Sequence, residues 1–476
     1  MPVLAQQLFR LNMMISSKID REDLRLVADN GASPCRAADV ALVFVGAIVP
    51  ERPEFRTAAF SRSGQIYQRE MLEGLGRAGL PASEIVSVIP IPAYPKSDRL
   101  WVGARREEII EDTEVRLLPF LNVSPVKQIM IGFFTVIELI RWGWRNRRVP
   151  SRVVFTYNLT VPPGFFTLIG AKLIGAKAVV ALCDIDVPGQ TVPSSFIWRL
   201  NYWMQKRLIP LFDGHIVAAE AIAQDFLANR PYVRVEGGIC EQAISITNDF
   251  FNSERISDRP FRIGFAGRID ETNGIPTLIR AFSLLEGERY RLCIAGGGPL
   301  ERQVRAAAAT DSRIEYLGFI SFSEVLQLYK NSDVLVNMRV TEGLDTRYFF
   351  PGKMMEYLAS GTPVITTCTG HTEQEFGDFV YLLKDESAQG LAEFIRQVAT
   401  LDPAVRGKLG QKAREYMALH KTWDAQSKRV AQFIRESVLV IHAKLSTCQG
   451  RRQSLEVEPQ NAPNGIRSQA GRKRAG

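Results

Sequence analysis

The side chains with the most chemical reach lie in the second half of the chain. Arg268 follows Gly267 in RIGFAGRIDETNGIPTLIRAF, which reads as strand, glycine turn and helix. A guanidinium at the mouth of such a turn suits a diphosphate, because it donates several hydrogen bonds in a planar fork. On spacing alone it also reads as an ordinary surface arginine. In CIAGGGPLERQV, Gly296–Gly298 precede a helix N-terminus, which is a ready place for an anion or simply a tight turn. The dinucleotide fingerprint would need glycine where Glu301 stands. In FFPGKMMEYLASGTPVI, Glu356 falls in a predicted helix among Met354, Met355, Tyr357 and Leu358. A carboxylate in that company needs partners, and the paired hydroxyls of a ribose would serve. Its alternative is an exposed helix glutamate.

The first half offers Asp184 and Asp186, a D-x-D pair at the end of a predicted strand. Such a pair could chelate a divalent ion, but a lone short motif is weak evidence; the other readings are a place on the acceptor side of a cleft or plain polarity at a strand end. No metal and no cofactor are predicted. The four histidines (His215, His371, His420 and His442) have no metal spacing, and no G-x-S-x-G elbow is present, so hydrolase chemistry is unsupported. The six cysteines contain no C-x-x-C pair and fit neither a disulfide framework nor a zinc site.

These residues need a scaffold, and the apolar pattern supplies one. Short apolar runs such as ALVFVGAIV, RVVFTYN and AVVALCDI in the first half alternate with stretches long enough for helices. The alternation is cleaner in the second half, where RIGFAG, YRLCIAG, DVLVNM and TPVITT are strands between amphipathic helices. Continuous apolar strands separated by helices imply parallel sheets covered on both faces. The fold class predicted is α/β, with two doubly wound Rossmann-like halves facing across a cleft and the ligands outside the carboxyl ends of the strands. The segments are an irregular leader (1–37), a first α/β half (38–250), a second α/β half (258–405), C-terminal helices (406–444) and a disordered basic tail (445–476).

Composition is ordinary for a globular chain of 476 residues, with 46% hydrophobic and 23% charged residues and a net charge of +8. The start of the chain lacks the apolar core and cleavage site of a secretory signal. No run reaches the roughly 18–20 apolar residues that span a bilayer. The body is therefore expected to be cytoplasmic, free or at the inner face of the membrane. In VKQIMIGFFTVIELIRWGWRNRR, Ile129, Phe133, Ile137, Ile140 and Trp144 recur at helical spacing, with Arg141, Arg145, Arg147 and Arg148 at the end. FIWRLNYWMQKRL has the same character. Basic, aromatic helices of this kind dock on anionic membranes, or pack in a core with their basic ends in water. No recognition fold supports nucleic acid as a partner.

The order FAGRI, GIPTLIRAF, IAGGGPLE, YLGFIS, DVLVNM and GKMMEYLASGTPVI resembles the family 4 retaining glycosyltransferases of the GT-B fold, across nearly all of the second half. The resemblance implies a nucleotide-sugar donor and a saccharide or lipid-linked saccharide acceptor, as in polysaccharide or glycoconjugate synthesis. It places Gly267 and Arg268 on the donor diphosphate, Glu356 on the ribose, and Phe319 and Ile320 beside the nucleobase. Ser63-Gly64 resembles the family's first glycine loop, near donor phosphate and acceptor. Two positions depart from the pattern. Asn273 stands where the family has a diphosphate-binding lysine, and Tyr348 where it has a first glutamate. Glu342, in a Glu-Gly pair, is the alternative first glutamate. Lys353, at the start of the helix, is expected to replace the charge missing at Asn273. Arg268, Lys353 and Glu356 are thus the catalytic candidates. The competing readings are a nucleotide-sugar epimerase and a non-catalytic partner of another transferase.

Overall fold

A computed structural model describes residues 39–55, 59–110, 113–158, 163–240, 244, 259–343, 345–348, 350 and 352–439. The leader and the basic tail lie outside the described residues.

The first half is built on an eight-stranded sheet. Its strands are β1 (Val40–Gly46), β2 (Ala82–Ser87), β4 (Arg105–Ile110), β5 (Thr113–Leu117), β7 (Ser151–Tyr157), β8 (Lys177–Leu182), β9 (Gly214–Val217) and β10 (Tyr232–Arg234), in the spatial order β10-β9-β8-β7-β1-β2-β5-β4. A two-stranded piece, β3 (Trp101–Val102) with β6 (Phe120–Leu121), lies beside it. The central strands are apolar on both faces: Leu42, Val43, Phe44, Val153, Val154 and Val179 are fully buried. That is the signature of a parallel sheet covered twice. Two pairings depart from the expected all-parallel arrangement: β4 pairs antiparallel with β5 at the edge of the sheet, and β3 pairs antiparallel with β6. The β4 sequence, RREEII, is mostly charged and none of its residues is buried, as an edge strand tolerates.

Helix α1 (Arg62–Arg77) carries the chain from β1 to β2. Helices α2 (Val126–Arg145), α3 (Pro163–Leu173), α4 (Phe196–Leu208) and α5 (Glu220–Phe226) then link strands that step the opposite way across the sheet. Right-handed crossovers therefore put α2 to α5 on one face of the sheet and α1 on the other. Side-chain contacts agree with this layering: Tyr202 of α4 meets Phe226 of α5 edge-on.

The second half has six parallel strands, β11 (Phe261–Ala266), β12 (Tyr290–Ala295), β13 (Ile314–Gly318), β14 (Val334–Asn337), β15 (Val364–Thr367) and β16 (Tyr381–Leu383), ordered β13-β12-β11-β14-β15-β16. Its helices are α6 (Ile275–Ser283), α7 (Glu301–Thr310), α8 (Phe322–Asn331), α9 (Gly352–Ala359), α10 (Thr372–Phe376) and α11 (Ala388–Thr400). The strand order reverses between β11 and β14, so the loops after these two strands flank the switch point where such sheets bind ligands.

Two helices followed by a π-helical turn (Ile434–Leu439) end the described chain. Within α12 (Pro403–His420) the buried Ala413 and Met417 join the core around α9. The following α13 (Trp423–Phe433) returns to the first half, where its Ser427 fits against Gly74 of α1. The chain thus passes between halves twice, and the two passages lie side by side: Ile239 N–H donates to Lys421 O at 2.9 Å, and Trp423 N–H to Ile239 O at 3.1 Å.

Candidate active site

The floor of the site is the turn after β11. Gly267 sits at φ +154°, and its N–H donates to Ala295 O at 3.1 Å. Gly296, at φ +127°, lies so close that a Cβ there would meet Gly267 O at 1.9 Å. Its own N–H is taken by Gly318 O at 2.7 Å. The triple glycine thus acts chiefly as a close-packed turn that supports Gly267. The helix after it begins with Glu301, whose carboxylate is bonded by Tyr316 and Arg305.

A chain of polar contacts runs along this floor. Arg268 Nε donates to Asp270 Oδ2 at 2.9 Å. Asp270 Oδ1 accepts from the Asn273 N–H at 2.9 Å and the Asn273 Nδ2 at 2.7 Å. Asn273 Oδ1 in turn accepts from Lys353 Nζ at 2.9 Å. The lysine comes from the first turn of α9, 80 residues away in sequence, and lies over the Phe265 ring at 4.4 Å. A Cβ built on Gly267 would be 3.7 Å from its Nζ. The ammonium therefore stands beside Gly267 and next to Asn273, the position at which the family pattern has its lysine.

The electrostatics of this cluster are unusual. Burial, and after it the field of Arg339, lowers the Lys353 ammonium to about 7, with Asp270 opposing. Burial also works against charge on Asp270, but the bonds from Asn273, Thr272 and Arg268 outweigh it and hold that carboxyl below its ordinary range. Arg339, just past β14, is lowered by burial and partly restored by Asp270. Its backbone is fixed by Thr367, whose Oγ accepts from the Arg339 N–H and donates to its carbonyl. Arg339 is a third cation at this place that motif reading misses, since nothing in DVLVNMR marks it.

Glu356 lies one turn along α9. Tyr329 donates to its Oε2 at 3.1 Å. Burial raises its carboxyl, while Tyr329 and the positive charge of Arg62 pull the other way. Arg62 opens α1 in the first half and is near enough to act on the Glu356 charge; Ser63 and Gly64, expected in a loop before the helix, lie instead in its first turn. Ser61 caps α1 by accepting from Gly64 N–H at 3.2 Å. Gly64 is buried, and a Cβ there would lie 3.5 Å from the Tyr157 hydroxyl.

Tyr157 leads to the aspartates. Asn158 bridges two strand ends, donating to Asp184 Oδ2 at 3.3 Å and accepting from Cys183 N–H at 2.8 Å. Asp184 is open to solvent yet surrounded by protein at the strand ends, and that enclosure raises its carboxyl. Asp186 is bonded instead by Asn201 Nδ2 at 3.2 Å. Between these elements lies a cavity of about 360 Å³, lined by Gly46, Gln128, Thr135, Asn158, Trp198 and Asn201 among others.

The remaining candidates are placed as follows. Phe319 is 83% exposed at the end of β13, free to meet a flat ring, and Ile320 beside it is partly buried. Glu342 is exposed on a turn and makes no bond among the described residues, whereas its neighbour Thr341 is tied to Glu386. Tyr348 is engaged with the first half: it is buried against Phe226, and its hydroxyl donates to Asp225.

Beside the passages between halves lies a buried ionic cluster that sequence reading also misses. Glu236 accepts from His371 Nε2 at 3.1 Å, Lys421 Nζ at 3.0 Å and Arg234 Nε at 2.8 Å. Lys421 and Arg234 also pair with Glu375. Glu236, His371 and Glu375 have the proximity of a metal site. The two cations already occupy the carboxylates, so the cluster reads as a salt-bridged joint.

Known proteins resemble this chain in sequence and in fold. Residues 260–400 match the family model of glycosyl transferases group 1. A protein of Salmonella typhimurium (strain LT2) named as the colanic acid biosynthesis glycosyltransferase WcaL is 24% identical over 204 residues, 41% of this chain and 50% of that protein. An uncharacterised glycosyltransferase of Methanocaldococcus jannaschii is 31% identical over 126 residues, 26% of this chain and 31% of its own length. The chain thus spans half or less of the length of these relatives. Among solved structures, a sucrose-phosphate synthase from Thermosynechococcus elongatus superposes with a TM-score of 0.58 at 16% identity, covering 83% of this chain and 98% of that one. Anabaena HepE in complex with UDP and glucose gives 0.56 at 13%, covering 83% and 99%. The fold is GT-B, as the paired sheets imply.

Proposed function

We propose that this protein is a retaining glycosyltransferase that moves a sugar from a nucleoside-diphosphate donor to an acceptor hydroxyl. The observation that carries the proposal is the Lys353 ammonium, bonded to Asn273 beside Gly267 and Arg268 at the switch point of the second sheet. The segment that holds it matches the glycosyl transferases group 1 model. In the reaction, the bond between the anomeric carbon and the diphosphate oxygen breaks, and a bond to the acceptor oxygen forms on the same face. The acceptor proton passes to the departing phosphate. The protein's part is electrostatic: Arg268, Lys353 and Arg339 meet the negative charge that develops on the leaving group, and fixed charges aimed at developing charge are the main source of rate enhancement in most enzymes. Glu356 holds the ribose, Phe319 and Ile320 border the base, and Ser63, Gly64 and Asp184 lie on the acceptor side. The likeness to a protein named for colanic acid biosynthesis supports a place in polysaccharide synthesis.

The test is a thermal-shift screen against UDP, GDP, dTDP and their sugars, since a ligand that binds only the folded state raises its stability. The outcome expected is stabilisation by one base class, lost in an Arg268→Ala, Lys353→Met double variant. No stabilisation by any nucleotide, or equal stabilisation of the variant, would refute the assignment.

A further inference from the structure

The geometry points to a second working surface: the face of the first half formed by α2, α3 and α4 lies on an anionic lipid bilayer. The proposal is independent of the donor site.

These three helices share one face of the sheet, and their outer sides are apolar. On α2, Ile129, Phe133, Ile140 and Trp144 are all exposed, Trp144 by 68%. Their spacing draws one stripe along 20 residues of helix. The opposite side of α2 is the one that enters the core, through Ile131, Leu139 and Trp142. The core-packing reading of this segment therefore accounts for one side of the helix and leaves the other uncovered. On α4, Phe196 is 79% exposed and Ile197 74%, with Leu200 and Trp203 continuing the stripe. Between them, α3 adds the exposed Leu173, at the edge of a shallow apolar groove shared with Leu168 and Leu211. A water-facing helix layer with this many large apolar side chains is uncommon unless something covers it.

Charge selects the occupant. The three helices carry seven basic residues and one acidic residue, Glu138. Glu138 is buried and already paired with Arg116 and Arg141. Basic residues border the stripes: Arg147 lies over the Trp144 ring at 4.7 Å, and Arg207 over the Trp203 ring at 5.3 Å. Neither arginine has an acidic partner among the described residues. Tryptophan flanked by arginine is the pattern of a membrane interface, where the ring sits at the headgroup level and the cation meets lipid phosphate. A second copy of this chain would bring the same positive face against itself, so the observations favour lipid over self-association. No described helix is long and apolar enough to cross a membrane, so the contact is with the surface.

The test is sedimentation of the full chain with vesicles of phosphatidylcholine alone or with about 30% phosphatidylglycerol, at low and high salt. Binding is expected to the anionic vesicles at low salt and to weaken at high salt. The triple substitution Arg147→Glu, Arg148→Glu, Arg207→Glu is expected to reduce it at least a hundredfold, at roughly fivefold per charge. Phe133→Ser with Phe196→Ser and Trp203→Ser is expected to abolish it while leaving the melting temperature unchanged, because those side chains are exposed. Equal binding to neutral vesicles, or binding that survives both variants and so comes from the basic tail, would overturn the proposal. So would a concentration-dependent dimer in gel filtration that the apolar variant dissolves, with no vesicle binding by the parent chain.

Discussion

Replacing Lys353 by methionine probes the diphosphate site through its proton. Burial, aided by Arg339, brings the ammonium of the unliganded protein down to about 7. A group with that value is about nine-tenths charged near pH 6 and about one-tenth charged near pH 8. Only the charged form pairs with a diphosphate, so the apparent affinity for a nucleotide sugar falls about tenfold between about pH 6 and pH 8. The bound anion restores the proton, so binding near pH 8 takes up about 0.9 proton per site. Calorimetric titration with UDP-glucose, or with whichever nucleotide sugar stabilises the protein best, reads that number directly when repeated in two buffers of different ionisation enthalpy. In Lys353→Met both the uptake and the pH slope vanish. The affinity near pH 6 drops by about 1.5–3 kcal/mol, the value of a charge-assisted bond. Stability moves the other way. The folded value lies below that of the unfolded chain, so the lysine's charge burdens the empty fold below about pH 7, and the burden fades as pH rises toward about 10. The methionine variant should therefore melt higher than the parent near pH 6 and lose that advantage near pH 10. Proton uptake that persists in Lys353→Met, or an affinity of the parent that is flat with pH, would refute the assignment.

Three further outcomes follow from the same contacts. Glu356→Ala is expected to weaken nucleotide binding by about 10–100-fold and Tyr329→Phe by less than tenfold, read by thermal-shift titration, because the phenol only orients the carboxylate. Gly296→Ala forces a Cβ against Gly267 O at 1.9 Å and is expected to cost about 2–4 kcal/mol in denaturant unfolding; Gly297→Ala, with nothing within 4 Å of its Cβ, is the control and should stay within about 1 kcal/mol. In Glu236 burial is outweighed by His371, Lys421 and Arg234, which hold the carboxyl well below its ordinary range; its stabilisation is full above about pH 4.5 and is lost as pH falls toward the folded value. Glu236→Gln should cost about 3–5 kcal/mol near neutral pH and flatten the acid limb of a stability–pH curve.

The legible parts of this molecule are those fixed by neighbours in sequence. The alternation that gives β11 to β16 and their helices is local, and so is the strand-turn-helix grammar that places Gly267, Arg268 and Glu356. Edge strand β4 escapes because RREEII runs in like pairs with no apolar alternation, and three-residue β10 is too short to carry a period. Lys353 can be matched with Asn273 only by asking where a missing charge has gone; the contact spans 80 residues and has no spacing to read. Arg339 and the Glu236 cluster stay hidden for the same reason, since their partners are assembled by the fold. Tyr348 reads in sequence as a lost carboxylate, whereas its ring and hydroxyl are used on Phe226 and Asp225. Which of two aromatic faces meets which half is decided by packing, and packing leaves no period in the sequence.

That use of Tyr348 has a mechanical result. The residue lies five positions before Lys353 and eight before Glu356, on the strap that leads into α9. Helix α9 is thus tethered to the opposite half of the molecule through the Tyr348 phenol and its neighbour Arg347, which pairs with the same Asp225 at 3.4 Å. If the two halves move apart, either the strap pulls on α9 or the phenol leaves Asp225. On the proposed function, the width of the cleft and the hold on the nucleotide are then a single equilibrium seen from two sides. Whatever factor an acceptor gains from a filled donor site, the donor gains from a filled acceptor site.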